Sequence, residues 1–332
     1  MSEMQIRCRD LVAAIGLGAP SAVRNVVSLT GGVASDIARF DLGAQTYCAK
    51  FALEKLKVAE DWHAPVHRNA AEYAWLRFAA DVSPQSAVRL HGRSDALHGF
   101  VMDYVAGSDV YLWKSALLSE APDRGEARQV ADVLGRLQAA SAASDFDTGP
   151  FQNRDDFRAL RIDPYLSFTA TRRPEAAPAL QALGDMLHAA QSVLVHGDVS
   201  PKNILMRRAG PVFLDAECAC MGDASFDPAF CLNHLVLKAV HLPGSRNRLL
   251  HNVADFWQAY LPHLTFTDPD ALETRIARLL PALMLARVDG KSPVEYLSQD
   301  SRASVRKLAL SLLTDPETRL KGVTDRIRVA LG

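Results

Sequence analysis

The stretch His196-Gly197-Asp198-Val199-Ser200-Pro201-Lys202-Asn203-Ile204-Leu205 sets a carboxylate, Asp198, five residues before an amide, Asn203. A second carboxylate, Asp215, follows twelve residues later in Phe213-Leu214-Asp215-Ala216-Glu217. Phosphoryl transfer from ATP needs a carboxylate that positions the attacking hydroxyl and accepts its proton, together with oxygen ligands that hold Mg2+ against the phosphates. Asp198, Asn203 and Asp215 supply those groups in that order. Taken singly, Asp198 and Asn203 could equally cap a loop; the ordered set favours the chemistry.

Such groups must be delivered by short, rigid pieces of chain. Val193-Leu194-Val195 reads as a strand entering the loop, and residues 203–206 and 212–214 read as a hairpin closed by Arg207-Arg208-Ala209-Gly210-Pro211. Upstream, residues 26–29, 35–42 and 46–53 read as three antiparallel strands, followed by a helix over 68–79 and strand candidates at 88–90 and 97–105. A helix-like opening covers 10–17. From Gly107 onward the pattern is helical, over 126–141, 178–190, 228–240, 249–260, 271–288 and 301–313. Thr314 and Asp315 before Pro316 predict a last helix over 316–331. The expected class is α+β, with a small antiparallel-sheet lobe carrying one main helix over 1–106 and a larger, mostly helical lobe over 107–332.

The chain has 332 residues, enough at about 150 residues per domain for two domains or one two-lobed enzyme. Its 37 basic and 38 acidic residues leave a net charge of −1, which argues against a nucleic-acid partner or an anionic membrane surface. No apolar run approaches the roughly 18 residues of a membrane span, and no apolar region follows the charged start, so a soluble, cytoplasmic protein is expected. Five cysteines, odd in number and sparse, fit reduced core thiols.

The spacing from Asp198 to Asn203 matches the catalytic loop of protein kinases, and the chain resembles the aminoglycoside phosphotransferase and choline kinase-like family over most of its length. In that family the motif reads His-Gly-Asp-Leu-x-x-x-Asn, then an Ile/Leu-Asp pair, then Gly-Asp-x-x-x-Asp, seen here as Gly222-Asp223-Ala224-Ser225-Phe226-Asp227. The resemblance implies a protein-kinase-like two-lobed fold that uses ATP and Mg2+. By it, Asp198 is the catalytic carboxylate, Asn203 and Asp215 hold the metal, Asp227 braces the loop and His196 orients it. It also implies that Lys50 holds the α/β-phosphates, that Glu72 is the partner of Lys50, and that Gly31-Gly32 lie in a loop over the phosphates. Asp103 and Val105 are implied to hold adenine through their backbone in the hinge. Asp215-Ala216-Glu217 is similar to the Asp-x-Glu of methylthioribose kinases, which adds Glu217 to the metal ligands.

Eleven residues separate Asp215 from Asp227 and no Ala-Pro-Glu follows, too little for a peptide platform, so a small hydroxylated acceptor is expected. From Ala224 to Gly332 the chain has fourteen Lys/Arg against eleven Asp/Glu, a balance that opposes a polycationic drug. Arg287, Asp289 and Lys291 are candidate contacts to a neutral or anionic metabolite, or else a helix cap followed by a loop. Lys202 reads either as a γ-phosphate contact or as a solvated loop lysine. The expectation is an ATP- and Mg2+-dependent kinase of a small metabolite, monomeric or homodimeric. An aminoglycoside O-phosphotransferase and a non-catalytic nucleotide-binding module are its alternatives.

Overall fold

Alternating side chains build the first sheet. In the structure, a computed structural model describing residues 1–29, 35–55, 57 and 65–332, antiparallel strands β1 (Val23–Leu29), β2 (Ser35–Leu42), β3 (Gln45–Ala52), β4 (Leu90–Ser94) and β5 (Gly99–Asp103) lie in the order β1-β2-β3-β5-β4. Successive strand residues face opposite sides. Tyr47, Ala49, Phe51 and Val101 therefore pack with Cys8, Leu11 and Val12 of helix α1 (Glu3–Ala14), while Cys48, Phe100 and Met102 join the core that contains Trp75 and Leu76 of α2 (Arg68–Val82). Lys50, two residues after Cys48, shares the α2 face. Gly31 and Gly32 lie outside the described residues.

The C-terminal part is mainly helical. Strand β6 (Tyr111–Leu112) leads into α3 (Trp113–Leu118) and α4 (Glu126–Ser141). Next come α5 (Arg154–Phe157), a π-helical stretch over Arg158–Ser167, α6 (Phe168–Arg172) and α7 (Ala177–Ala189). Four short strands follow, β7 (Val193–Val195), β8 (Ile204–Arg207), β9 (Gly210–Phe213) and β10 (Cys220–Gly222), paired β10-β7 and β6-β8-β9. Helices α8 (Phe226–His241), α9 (Arg246–Tyr260), α10 (Pro269–Asp289), α11 (Gln299–Thr314) and α12 (Leu320–Leu331) complete the chain. Helix α8 is buried on every side from Phe226 to Val240, as expected of a helix at the centre of a core. The α+β class agrees with the sequence-based expectation.

Three boundaries differ from that expectation. Helix α1 begins at Glu3 because Ser2 Oγ accepts the Gln5 N–H at 3.2 Å, and because the sheet buries its Cys8, Leu11 and Val12 stripe. The last helix begins at Leu320: Thr314 ends α11, the Asp315 N–H donates to the Ser311 carbonyl at 3.0 Å, and Glu273 of α10 accepts the Leu320 N–H at 3.0 Å. A cap supplied from another helix overrides the local Pro316 signal. The helical run over 154–172 was assigned no element from sequence. Its Pro164, in the middle of the run, argues against a helix there on sequence grounds.

All five cysteines are buried and unpaired, and no helix among the described residues is long and apolar enough to cross a membrane.

Candidate active site

A lysine surrounded by carboxylates lies where β3, α2 and the segment after β9 meet. Lys50 Nζ is 2.8 Å from Glu72 Oε1 and 3.0 Å from Glu217 Oε1, and it also contacts Asp215 Oδ1. Helix α2 supplies two members of this cluster one turn apart. Glu72 faces Lys50, and Arg68 Nε donates to Glu217 Oε2 at 2.8 Å while its other nitrogens reach the carbonyls of Pro65 and Leu53. Ser35 at the start of β2 donates to the other oxygen of Glu217. Burial pushes the Glu72 and Glu217 carboxyls up; for Glu217 the Lys50 and Arg68 charges outweigh it and hold the group down at about 2. Glu72, with one Lys50 shared three ways, is pushed up to about 8 by burial.

Three carboxyl groups face two fixed cations, so the third, Glu72, ionises fully only when a further positive charge arrives. Glu72, Asp215 and Glu217 place oxygens within 4.8 Å of one another, and the buried Glu72 Oε2 has no hydrogen-bond partner among the described residues. A hard divalent cation fits this oxygen set and its charge. Asp215, the most exposed of the three, sits at φ +71°, a left-handed backbone conformation that few non-glycine residues adopt.

Beside this cluster the chain between β7 and β8 forms a braced loop. Asp227, fully buried at the start of α8, accepts the His196 N–H at 2.7 Å and the Gly197 N–H at 2.9 Å, and burial pushes its carboxyl up to about 7. Burial pulls His196 down to about 3, so the ring is neutral; its Nδ1 accepts the Asp198 N–H at 3.1 Å and its face meets the edge of Trp75. Gly197 has φ +81°, and a Cβ there would stand 2.6 Å from Cys218 Cβ. Gly197→Ala should therefore cost about 2–4 kcal/mol of stability, measured by denaturant unfolding.

Asp198 emerges from this loop between two cations. Its Oδ2 lies 2.9 Å from Arg161 Nη2 and 3.1 Å from Lys202 Nζ, and Ser200 Oγ donates to its Oδ1 at 3.2 Å. Burial opposes ionisation, but Lys202 and Arg161 outweigh it and hold the carboxyl well below the usual range. Asn203 Nδ2 donates to the Asp198 carbonyl at 3.1 Å, which turns its side-chain oxygen away from the loop backbone.

The sequence-based candidates divide into those that meet and those that do not. Lys50, Glu72, Asp215 and Glu217 share one cluster, and Asp198, Lys202 and Asn203 share the adjoining loop. At the hinge, the Asp103 N–H donates to the Arg89 carbonyl at 2.9 Å, while the Val105 N–H has no partner among the described residues. A cleft of about 680 Å³ borders residues 103–106 on the side of Arg77, Asp81 and Arg207, and its lining contains neither Lys50 nor Asp198. Farther off, Asp289 is held by Arg173 at 2.6 Å and Arg306 at 2.7 Å, so both its oxygens are engaged. Lys291 lies over the Phe168 ring, and Arg287 Nη1 donates to Tyr165 Oη and Ser292 Oγ. Sequence reasoning missed Arg68 and Arg161. Arg68 could have been found from its i, i+4 relation to Glu72; Arg161, in the run read as no element, carried no signal.

A sequence model described as the phosphotransferase enzyme family matches residues 26–243. No curated protein sequence matches the chain. Among solved structures, the chain is similar to a choline/ethanolamine kinase family protein from Mesorhizobium loti, at 15% identity and a TM-score of 0.55, covering 98% of this chain and 99% of that one. A choline kinase from Streptococcus pneumoniae aligns at 12% identity and a TM-score of 0.51, covering 99% of each chain. An amicoumacin kinase solved with AMP-PNP, Ca2+ and its ligand aligns at 11% identity and a TM-score of 0.58, covering 96% of this chain and 98% of that one. At these identities the likeness is one of fold.

Proposed function

The chain belongs to the phosphotransferase enzyme family, and on that premise we propose that it transfers the γ-phosphoryl group of ATP to a hydroxyl of a small metabolite. The observation that carries this reading is Lys50 Nζ joining Glu72 of α2 to the Asp215 and Glu217 pair far along the chain. Lys50, held in place by Glu72, binds the α/β-phosphates, and adenine is held by the backbone at Asp103 and Val105 beneath the loop that contains Gly31 and Gly32. Asn203, Asp215 and Glu217 would hold Mg2+, whose charge offsets that developing on the phosphates.

Asp198, ionised by its two cations, accepts a hydrogen bond from the acceptor hydroxyl and aims its oxygen at the γ-phosphorus. As the new O–P bond forms and the bond to the β-phosphate oxygen breaks, the hydroxyl proton passes to Asp198. A carboxylate held so far below neutrality is a weak base, which suits a transition state in which the nucleophile keeps its proton until late. Lys202, part-exposed beside Asp198, faces the transferred group. On the acceptor side we assign Arg287. Asp289, clamped by two arginines, and Lys291, whose N–H donates to the Pro164 carbonyl at 3.1 Å, fix the turn that follows it at the end of α10.

The test is ADP release across sugars, amino alcohols, nucleoside breakdown products and aminoglycosides. Stimulation by a small hydroxylated compound, dependent on Mg2+, is expected. A folded protein with neither slow ATP hydrolysis nor a thermal shift with Mg-ATP would instead be a non-catalytic module, and preferential phosphorylation of peptides would overturn the acceptor class.

A further inference from the structure

Helix α8 carries Lys238 with its side chain 99% withdrawn from solvent, although a lone ammonium is among the costliest groups to bury. Among the described residues its Nζ meets only the His234 carbonyl, at 3.4 Å, and the face of Tyr296, at 5.1 Å. No carboxylate pairs with it. Arg287, from α10, is buried near it and likewise forms no ion pair among the described residues, Glu295 acting on both only from a distance. Its Nη1 reaches Tyr165 Oη at 3.2 Å and Ser292, and its Nε reaches nothing. Two more buried polar atoms in this group, Tyr296 Oη and His234 Nε2, also lack partners. Burial, with Lys114 and Arg287 nearby, pulls the Lys238 ammonium down to about 7.

The cluster adjoins Asp198. Arg161, which grips Asp198, stacks over Phe230 at 5.9 Å; the Phe230 ring lies 5.6 Å from Tyr165 and 5.5 Å from His234. Tyr165 in turn meets Arg287. Lys114 and Lys202, both part-exposed, continue the positive charge toward solvent, against the single carboxylate of Glu295. Unpaired cations and unsatisfied donors beside the group that aims the acceptor have the composition of an anion site.

We propose that the acceptor bears an anionic group, a carboxylate or a phosphate, which Lys238 and Arg287 bind together with the hydroxyls of Tyr165 and Tyr296. This rests on the kinase reading, in that it places the anion on the acceptor presented to Asp198. The anion supplies the missing counter-charge, and its distance from the reacting hydroxyl sets which hydroxyl faces Asp198. A polycationic acceptor would meet repulsion at the same point.

A matched set of three-carbon probes separates the possibilities: glycerol, 3-amino-1,2-propanediol, glycerate and glycerol 3-phosphate. Each is added to the full-length protein with its nucleotide site saturated by Mg-AMP-PNP, and melting temperature is measured over a probe titration. Glycerate or glycerol 3-phosphate should stabilise, and which of the two does so identifies the anion; glycerol and the amine should not. Lys238→Met, or Lys238→Gln if that variant does not fold, should weaken the anion response by about 10- to 100-fold in half-saturating concentration. An equal shift from all four, no shift from any, or an anion response unchanged in the Lys238 variant overturns the proposal. The shift given by Mg-AMP-PNP alone reports separately on the kinase reading, so a protein that binds the nucleotide but ignores the anions refutes this subsite only.

Discussion

Replacing Asp198 with alanine should lower acceptor-dependent turnover by about 10²–10⁴-fold while leaving Mg-ATP affinity within about threefold. The asymmetry follows from the partners of the carboxylate. Asp198 touches Arg161, Lys202 and Ser200, whereas the groups assigned to the nucleotide, Lys50, Glu72 and Glu217, are bonded to one another and to Arg68. Removing it takes away the hydroxyl's acceptor and leaves the phosphate cluster in place. Asp198→Asn is the control for fold, because its amide oxygen still accepts from Arg161 and its NH2 can donate to the Ser200 hydroxyl, but it takes no proton. Both variants should show the same thermal shift with Mg-ATP as the parent, with turnover measured by ADP release in the presence of an active acceptor. Undiminished turnover in either would remove Asp198 from the mechanism.

What the sequence exposes of this site is its local part. Asp198, Asn203, Asp215 and Glu217 lie within one loop and one hairpin, so their spacing carries geometry: β8 and β9 pair from Ile204–Phe213 to Arg207–Gly210 and carry the chain back toward the loop. The grip on Asp198 is not local. Arg161 reaches it from a π-helical stretch 37 residues upstream, and nothing in that segment marks it as meeting the loop. Lys238 was hidden for another reason. In α8 it follows Leu235, Val236 and Leu237, and a lysine within an apolar helix reads as an exposed side until the neighbouring helices are shown to close over it. Asp289 shows the converse: a residue that looks available beside a polar turn is engaged once Arg306 of α11 and Arg173, just past the end of α6, reach it.

The net charge of −1 is thus the sum of unlike regions. The cluster around Lys50 has more carboxylates than cations, and the group around Lys238 and Arg287 has more cations than carboxylates, with Glu295 the one carboxylate near it among the described residues. One suits a divalent metal carrying phosphates, the other a small anion, and Asp198 lies beside the second with its own charge balanced by Arg161 and Lys202. A charge count over the whole chain averages these away, because oppositely charged groups cancel in the sum although each acts at short range.

Lys50→Met should be the most destabilising of the single substitutions in the cluster, by about 3–5 kcal/mol at neutral pH, because it leaves Glu72, Asp215 and Glu217 facing one another, with Arg68 on Glu217 the one ion pair left to them among the described residues. Its pH dependence has a definite sign. Carboxyls buried without a counter-ion have folded-state pKa values raised above the unfolded value, as Glu72 already does at about 8 even with Lys50 present. The folded variant then binds more protons than the unfolded chain between pH 8 and about 4.5. Its stability should accordingly rise as pH falls through that window, and the gap to the parent should narrow. Mg2+ should recover part of the loss at neutral pH and Na+ at equal ionic strength should not, because three converging oxygens and a divalent charge match. Denaturant unfolding at pH 5 and pH 8, with and without Mg2+, measures all of this without any acceptor. A variant whose stability equals the parent's at pH 8, or one indifferent to Mg2+, would mean that the three carboxylates do not share the Lys50 charge and do not form a metal site.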